Sequence, residues 1–526
     1  MRFTLRSIFT AFGVLCIVGF IWQWISPLRY LHTGALHSSP LLATRRREVV
    51  DAFEHAWSGY SQYCMGHDTM HPVTNTCDND FAGWGATAID SLTTAIIFGK
   101  EDVVLQILTF ISTVNFEVVQ GGSSIQLFEV TIRHFGAMLS AYDLLNGPFS
   151  TMARNPELRE ALFNQIIKLG NILTCGFNTP SGIPRNWVNP VECTTDSGTS
   201  NTVAGVGSMI LEFMKFSEIT GNKVYAEKAK KAESYLINPH PEDKMPYPGL
   251  YGSFVSIANG ELIDNKGGWG ALADSFYEYL LKAYIYDSNT FDEYLDRWKL
   301  AADSTIRHIG SHPYGHPEWT LLPYWEGQVQ VKAMDSLSWF AGGNFILGGM
   351  VTDNKSFVDF GLSIADAGGA VYAMTATGLG GEYVHWTEDC SATWDENLCT
   401  ADNSIRIGDA TFNLRPEVLE TWYHAYRATG DTKYREWAWS AFQAINRVCK
   451  TETGFSAISN VTALDGGKKL DKQESFVFAE VMKYIYLIHL DDDRIPYHVQ
   501  DSRKGAHNLW VFNTEAHPLK VSGPPI

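Results

Sequence analysis

The sequence predicts an all-α protein in which helical hairpins form a barrel. Apolar residues recur with helical periodicity along almost the whole chain from about residue 48, and convincing strands are few. Every predicted helix is long enough to pack against its neighbours in a hairpin. The predicted helices span residues 48–65, 86–98, 101–114, 126–145, 155–173, 202–219, 223–236, 270–286, 290–310, 337–351, 354–376, 415–429, 432–449 and 473–490.

Carboxylates in apolar surroundings occur on alternate members of this helix series. Glu129 lies on the fourth helix, Asp274 on the eighth, Glu417 on the twelfth and Glu480 on the fourteenth, and three of them belong to a first turn. If alternate helices form an inner ring and run in the same direction, these first turns meet at one end of the ring. The pattern therefore predicts a barrel with an acidic mouth.

The apolar surroundings of these acids indicate a functional pocket. Burying an unpaired carboxylate is costly, so such acids face partners, a metal or a polar cavity. Splitting a glycosidic bond requires two carboxyl groups, one on either side of the bond. A carbohydrate-processing site is therefore the natural candidate. The 16 Trp and 23 Tyr suit sugar stacking, although aromatic residues also fill ordinary cores.

The N-terminus predicts a membrane anchor. An apolar run from Ile8 to Ile25 is preceded by basic residues and is long enough to span a bilayer. We expect a cytoplasmic tail at 1–7, an uncleaved signal anchor at 8–26, a stem at 27–46 and one barrel domain at 47–526. A cleaved signal peptide is the alternative. The Arg45-Arg46-Arg47 cluster could be a processing site that releases a soluble form.

Charge and cysteine content fit a lumenal protein. The net charge of −18 argues against nucleic-acid binding, which requires basic surfaces. The cysteine spacing does not match zinc-ligand motifs, and Cys449 is left without a close neighbour. Glycosylation sequons begin at Asn354 and Asn460. In an oxidising compartment the closely spaced cysteines could form disulfides. These pairs are Cys64/Cys77, Cys175/Cys193 and Cys390/Cys399.

Ten segments, in one order, resemble class I α-1,2-mannosidases of glycoside hydrolase family 47, particularly the filamentous-fungal members. The resemblance implies an (α/α)7 barrel, a bound calcium ion, and hydrolysis of terminal α-1,2-linked mannose with inversion. The segments are EHAWSGY (54–60), GWGATAIDSLTTAIIFG (83–99), LFEVTIRHFGAMLSAYDLLNGP (127–148), LEFMKFSEITGN (211–222), GWGALADSFYEYLLKAY (268–284), FAGGNFILGG (340–349), TGLGGE (377–382), LRPEVLETWYHAYRATGD (414–431), QESFVFAEVMKYIYLI (473–488) and VFNTEAHPL (511–519).

The resemblance assigns roles to the acids. Glu129 matches the family's general acid, and its apolar neighbours would raise its pKa toward a useful range. Arg133, one turn later, would hold a substrate oxygen, orient Glu129 or form a simple ion pair with it. Asp274 and Glu417 match the other essential acids, with Glu417 favoured as the base that activates water. Glu382 matches a further family glutamate and is a fourth catalytic candidate.

The resemblance also predicts a calcium site and a sugar-binding floor. Thr514 matches the family threonine that binds calcium through its hydroxyl and carbonyl oxygens, and calcium commonly completes its shell with water. Arg415 should neutralise neighbouring acids. Phe476 and Glu480 match a stacking aromatic and a hydroxyl-binding acid, and Glu515 is a further contact candidate.

Leu272 predicts the breadth of the substrate range. Narrow endoplasmic-reticulum trimming enzymes carry an arginine at this position, whereas Golgi and fungal members commonly have an aliphatic residue. The resemblance therefore implies broad trimming of high-mannose N-glycans. We expect a monomeric, single-pass type II protein of the Golgi or endoplasmic-reticulum membrane, with release and secretion as the alternative.

The chain departs from the family pattern at Gly205, where an acid is usual, and at Ser336, where a histidine is usual. Both positions fall at starts of even-numbered helices, so a reshaped sugar-binding floor is expected. Glu278 and Glu420 also match family positions, and their roles could be functional or structural.

Two alternative functions remain open at this point. A catalytically weakened, mannose-binding, lectin-like factor in glycoprotein quality control would share the barrel. Another helical-barrel glycosidase would share the paired acids, but it would have no reason to carry the NTEAHP segment at 513–518.

Overall fold

The computed structural model describes residues 39–389, 400–490 and 507–526. The predicted cytoplasmic tail, membrane anchor and most of the stem lie outside the described residues, as do Cys390 and Cys399 of the third predicted disulfide. Within the described ranges, the helices are too short or too polar to cross a membrane.

All fourteen predicted helices occur in the described part of the chain. They are α1 (Pro40–Tyr63), α2 (Ala86–Ile97), α3 (Glu101–Thr113), α4 (Leu127–Val130, Thr131–Phe135 and Gly136–Asn146 in succession), α5 (Pro156–Thr174), α6 (Val203–Gly207 and Ile210–Thr220), α7 (Val224–Ile237), α8 (Asp274–Tyr286), α9 (Asp292–Ser304, continued by Thr305–Ile309), α10 (Leu337–Trp339 and Phe340–Val351), α11 (Lys355–Ala373), α12 (Glu417–Thr429), α13 (Thr432–Val448) and α14 (Val477–Val481 and Met482–Ile488). Short 3₁₀ turns add Cys175–Phe177, Glu242–Lys244 and Ala401–Asn403.

The even-numbered helices form a closed inner ring. Contacts run from α2 to α4, α6, α8, α10, α12 and α14 in turn, and α14 closes the ring against α2. The odd-numbered helices lie outside, where α3, α5, α7, α9, α11 and α13 each pack on the preceding inner helix and α1 packs on α14. Seven hairpins therefore enclose one core, and the predicted alternation of inner and outer helices is confirmed.

Side-chain caps occur on some helices of each ring, and inner helix α6 has one at Thr202. Outer helices α1, α5, α11 and α13 begin at Ser39, Asn155, Asn354 and Asp431, whose side chains accept a hydrogen bond from a first-turn N–H. Inner helices α2, α8 and α12 begin without such a side-chain cap within the described residues. The uncapped first turns of α8 and α12 carry carboxylates that face the barrel interior.

Short strands occupy the connections that lead from outer to inner helices. The prediction of few strands missed them, because segments of two to five residues show no clear period-2 pattern. The strands are β1 (Thr69–His71), β2 (Thr76–Asp78), β3 (Ile125–Gln126), β4 (Trp187–Asn189), β5 (Thr194–Thr195), β6 (Ser200–Thr202), β7 (Phe254–Ser256), β8 (Lys266–Gly267), β9 (Tyr324–Glu326), β10 (Val329–Val331), β11 (Ala333–Asp335), β12 (Tyr383–Trp386), β13 (Ile405–Asp409), β14 (Trp510–Phe512) and β15 (Pro518–Lys520). Their antiparallel sheets are β1-β2, β3-β4-β5, β6-β7, β8-β9-β10, β11-β12-β13 and β14-β15.

The C-terminal hairpin enters the barrel. Strand β14 contacts α8, and β15 contacts α4. The chain between the two strands is buried apart from the half-buried Thr514. The hairpin therefore places its turn inside the ring of helices.

Helix α1 corrects the predicted stem and processing site. The helix begins at Pro40, so the last residues of the predicted 27–46 stem are helical. Arg45 is buried and donates two hydrogen bonds to Glu436, at 2.7 and 2.6 Å. Arg46 donates to the carbonyl of His489 at 2.7 Å. Two of the three arginines in the cluster therefore contact the barrel, which opposes its use as a protease site.

Two of the predicted disulfides are confirmed. Cys64 is bonded to Cys77 and Cys175 to Cys193. Each disulfide closes a loop between an outer helix and the next inner helix. Cys449 is buried and forms no disulfide with the other described cysteines.

Candidate active site

A cavity of about 330 Å³ opens at the end of the barrel where the inner helices begin. It brings together residues that are far apart in sequence. Ten of the eleven predicted site residues line it: Glu129, Arg133, Leu272, Asp274, Arg415, Glu417, Phe476, Glu480, Thr514 and Glu515.

Helix α4 supplies an acid and a cation. Glu129 lies in the first turn and Arg133 in a π-helical turn that follows. The Arg133 Nε donates to Glu129 Oε2 at 2.8 Å, and its Nη1 lies 2.9 Å from Glu515 Oε1. Burial opposes the charge of Arg133, but Glu515, Glu129 and Asp90 outweigh it and raise the pKa of the guanidinium. Arg133 therefore fixes the position of Glu129 relative to the C-terminal hairpin.

Asp274 begins helix α8. Its Oδ1 accepts a hydrogen bond from the backbone N–H of Ser275 at 2.8 Å. Burial raises the pKa of Asp274 to about 7, and the charges of Asp335 and Glu278 add to this effect. The carboxyl group is therefore able to hold a proton near neutral pH.

Leu272 forms part of the cavity wall in a strained conformation. Its φ is +80°, in the left-handed region, and 44% of its surface is exposed. Leu414, which precedes Arg415, and Ala516, two residues after Thr514, also have positive φ, at 62° and 55°. Such strain in residues other than glycine concentrates at functional sites, where the surrounding structure enforces it.

Glu417 begins helix α12. Burial raises its pKa to about 8, with Arg415 acting in the opposite direction and with Glu382 and Glu420 reinforcing the rise. Its Oε2 is buried and has no hydrogen-bond partner among the described residues. An oxygen in this state is available to a water molecule, a substrate hydroxyl or a metal-bound water.

Glu382 lies outside the lining of the cavity. It accepts hydrogen bonds from Arg415 Nε at 3.1 Å and from the backbone N–H of Asn413 at 3.0 Å. These contacts hold the segment that precedes α12. The structure therefore separates Glu382 from the three acids that it brings together, and gives it a position suited to orienting Arg415.

The floor of the cavity concentrates further carboxylates around Thr514. The pKa values of Glu480 and Glu515 are raised well above the usual range by burial; for Glu480 the nearby negative charges add to this, whereas Arg133 opposes the rise for Glu515. Glu278 forms an ion pair with Lys282, whose Nζ lies 3.9 Å from Glu420. Both of these glutamates line the cavity, so the positions left open by the sequence belong to the site.

Phe476 contacts both arginines of the site. The guanidinium carbon of Arg133 is 5.8 Å from its ring centroid and that of Arg415 is 5.7 Å away. An aromatic ring attracts a cation held near its face. Phe476 therefore helps to hold both guanidinium groups at the cavity.

Asp90 is a site-supporting residue that the sequence analysis missed. It lies on α2, fully buried, and its Oδ1 accepts a hydrogen bond from His517 Nε2 at 2.9 Å. Ser475 Oγ donates to Oδ2 at 2.5 Å, and Arg133 Nη1 lies 3.7 Å from the same oxygen. Burial raises the pKa of Asp90, but His517, Arg133 and Ser475 outweigh it and lower the pKa. Its apolar neighbours gave the same signal that identified Glu129.

The two departures from the family pattern have structural counterparts. Gly205 lines the cavity, and a Cβ at this position would lie 2.5 Å from Asn201 Oδ1 and 2.8 Å from Thr202 Oγ1. A larger residue at this position would therefore require the side chains of Asn201 and Thr202 to shift. Ser336 is buried, and its hydroxyl donates to Glu382 Oε2 at 3.4 Å.

The floor fits a hard cation such as calcium. Its donors are carboxylate, hydroxyl and carbonyl oxygens, and the Oε2 of Glu515, like that of Glu417, has no partner among the described residues. In the described part of the chain, no three histidine, cysteine or acidic side chains are spaced to ligate a metal directly. Calcium accommodates such a site because water molecules can complete its shell.

The comparisons with known proteins agree on one family. The sequence profile of glycosyl hydrolase family 47 matches residues 52–521. A mannosyl-oligosaccharide α-1,2-mannosidase of Penicillium citrinum is 42% identical over 93% of this chain and 94% of its own. A protein of the same name from Coccidioides posadasii is 44% identical, with 93% of each chain covered. The solved α-1,2-mannosidase of Trichoderma reesei superposes with a TM-score of 0.86 at 40% identity, over 91% of this chain and 99% of that one.

Proposed function

The chain belongs to glycosyl hydrolase family 47, and on this premise we propose that it is a calcium-dependent, inverting α-1,2-mannosidase that trims high-mannose N-glycans. One observation carries the proposal. Glu129, Asp274 and Glu417 arrive from three different inner helices and line a single cavity. A glycosidase needs carboxyl groups on both sides of the bond that it cleaves, and an enclosed acidic cavity provides them.

Glu129 is assigned as the general acid. Arg133 holds one of its oxygens, which leaves the other free to deliver a proton to the oxygen of the departing sugar. Proton delivery to a leaving alkoxide is the step that general acid catalysis accelerates.

Glu417 is assigned as the general base. Its buried Oε2 lacks a partner among the described residues, and burial raises its affinity for a proton. Arg415 favours its ionised form, so the carboxylate can accept a proton from the attacking water. Asp274, with its pKa near 7, holds a second proton within the same cavity.

Thr514 would hold calcium through its hydroxyl and carbonyl oxygens. Glu278, Glu420, Glu480 and Glu515 would balance the charge of the ion from around the floor. When bound, calcium supplies a positive charge that holds the hydroxyl groups of the terminal mannose. Without it, burial and the charges of neighbouring acids raise the pKa values of Glu420, Glu480 and Glu515.

We further propose a lumenal location in the Golgi or endoplasmic reticulum, with the apolar 8–26 segment as the anchor. Two disulfides in the barrel support an oxidising compartment. The exposed, aliphatic Leu272 supports broad trimming, because it leaves the mouth open to several glycan branches. The partners would be high-mannose glycans and, through the anchor, the membrane, with the protein itself a monomer.

The test is mannose release from a Man₉ glycan over time. We expect the wild-type protein to release free mannose with inverted configuration, and EDTA to abolish release. Glu129→Gln should lose nearly all turnover while it still binds the glycan. The matched control is Glu157→Gln, which changes an exposed first-turn glutamate of α5. Glycan binding by the wild type without any release would favour the lectin-like alternative.

A further inference from the structure

Two aromatic side chains stand exposed beside the cavity without lining it. Trp187 on β4 is 45% exposed and Phe254 on β7 is 37% exposed. A single exposed aromatic group is ordinary on a protein surface, but two such groups beside a binding cavity can extend a ligand-binding groove.

Strand register ties both aromatics to the cavity wall. Trp187 pairs with Gln126, and Phe254 pairs with Thr202. Directly opposed residues of an antiparallel pair project from the same face of the sheet. Because Gln126 and Thr202 line the cavity, the two aromatic rings extend its wall outward.

Hydrogen bonds to the backbone fix the two strands that carry these rings. The N–H of Trp187 donates to Asp196 Oδ2 at 2.9 Å, and the N–H of Phe254 donates to Asp264 Oδ1 at 3.1 Å. Asn186, which lines the cavity, donates to the carbonyl of Ser200 at 3.3 Å and so links the two sheets. Both aromatics therefore belong to one continuous, fixed edge.

This edge lies on the side of Glu129. Gln126 precedes Glu129 by three residues, and the chain enters α4 directly from β3. A general acid stands beside the leaving-group oxygen that it protonates. The remainder of the glycan must therefore leave the cavity on the side where Trp187 stands.

We propose that Trp187 and Phe254 form a rim platform that binds the mannose residues beyond the disaccharide spanning the scissile bond. The inference rests on the proposed function, because it takes the direction of the glycan from the role of Glu129. The C–H faces of the sugar rings would stack on the exposed aromatic faces. The platform gives the enzyme affinity for extended glycans while the cavity alone selects the terminal linkage.

The test compares a long substrate with a short one. In Trp187→Ala and Phe254→Ala, kcat/KM for Man₉ should fall about threefold to tenfold, the range expected for the loss of one aromatic contact. For α-1,2-mannobiose it should stay within twofold of the wild type, because that disaccharide ends inside the cavity. Trp187→Phe should keep most of the Man₉ activity. The control is Val224→Ala, which changes an exposed apolar residue on outer helix α7. It should leave kcat/KM unchanged for both substrates.

Binding measurements separate this inference from the proposed function. When Trp187→Ala is added to Glu129→Gln, isothermal titration calorimetry should show a threefold to tenfold loss of affinity for Man₉. This measurement does not require turnover. An equal loss of kcat/KM for Man₉ and for mannobiose would overturn the rim platform. Unchanged Man₉ binding and turnover in both Trp187→Ala and Phe254→Ala would also overturn it. A wild-type protein that releases no mannose from either substrate would instead refute the proposed function. Thermal unfolding checks that each variant is folded.

Discussion

Asp90→Asn should weaken both the stability and the turnover of the enzyme. The substitution keeps the size of the side chain and removes its charge. Asp90 connects three elements, because it contacts His517 of the C-terminal hairpin, Ser475 before α14 and Arg133 of α4. The asparagine amide has one neutral oxygen in place of the two carboxylate oxygens that accept hydrogen bonds from His517 and Ser475. Arg133 also loses one of its three acidic neighbours.

The size of the effect follows from burial. Asp90 has no exposed surface, and removing one partner of a buried charged network costs about 3–5 kcal/mol. Unfolding entropy for a barrel of this length is roughly 1 kcal/mol per kelvin, so the melting temperature should fall by about 3–5 °C. Because Arg133 positions Glu129, kcat should fall by about tenfold or more, with a smaller change in KM.

The pH dependence provides an independent check. The pKa of Asp90 is lowered in the folded protein, so its contribution to stability is present above its unfolded pKa of about 3.9 and is lost as pH falls through the folded pKa. The difference in melting temperature between wild type and variant should therefore be constant from pH 5 to 8 and shrink only below about pH 4.

Thermal unfolding by circular dichroism and mannose release under saturating Man₉ are the assays. The matched control is Asp102→Asn, which removes an exposed carboxylate from helix α3 and should shift the melting temperature by less than 1 °C. If Asp90→Asn shifted it no more than this control and left kcat unchanged, the network would have no part in holding the site.

Two further predictions concern the metal and the location. In EDTA, the melting temperature should fall from pH 5.5 to pH 8, because acids with raised pKa values, near 7 for Asp274 and 8 for Glu417, lose their contribution to stability as they ionise. Saturating calcium should reduce that fall, and parallel curves with and without calcium would contradict the site on the cavity floor. In microsomes, a C-terminal epitope should resist added protease until detergent is present, and cleavage without detergent would refute the lumenal orientation.

The helical ring was predictable because it depends on a strong periodic signal. Outer helices such as α13 bury one apolar stripe, so the 3.6-residue period survives in their sequence, whereas inner helices such as α2 are buried on every side. Strict alternation places the even-numbered helices inside. The start of α1 was also visible in principle. Ser39 followed by Pro40 is a typical N-cap and first-turn pair, but the expectation of a stem concealed it.

The strands and the C-terminal hairpin left no comparable signal. Strands of two or three residues are too short to show an alternation of apolar and polar residues. Their pairing partners depend on how the connecting loops fold over the barrel end. The NTEAHP segment identified Thr514 by resemblance alone. Its depth inside the ring depends on β14 and β15 contacting α8 and α4, which is a property of the assembled barrel.

The structure brings ten of the predicted site residues into one cavity, whereas the contacts among them left no signal in the sequence. Apolar neighbours identified Glu129, Asp274, Glu417 and Glu480, since carboxylates in such company must face a cavity or a partner. The same rule applied to Asp90. For Glu382, the motif identified the residue but not where its side chain points. In the structure it accepts a hydrogen bond from Arg415.

The electrostatics of the inner helices explain why this fold tolerates so many buried acids. Helix N-termini carry a partial positive charge, and α8 and α12 begin without side-chain caps in the described residues, so that charge remains directed at the cavity. Asp274 and Glu417 lie where it acts, in the first turns. Burial nevertheless wins, because the pKa values of both acids rise. The remaining repulsion is offset by three cations: Arg133 and Lys282 each contact an acid that lines the cavity, and Arg415 contacts Glu382 beside it. If all the cavity acids were ionised, they would outnumber these cations, and a divalent cation could balance the excess negative charge without displacing any of the arginine contacts.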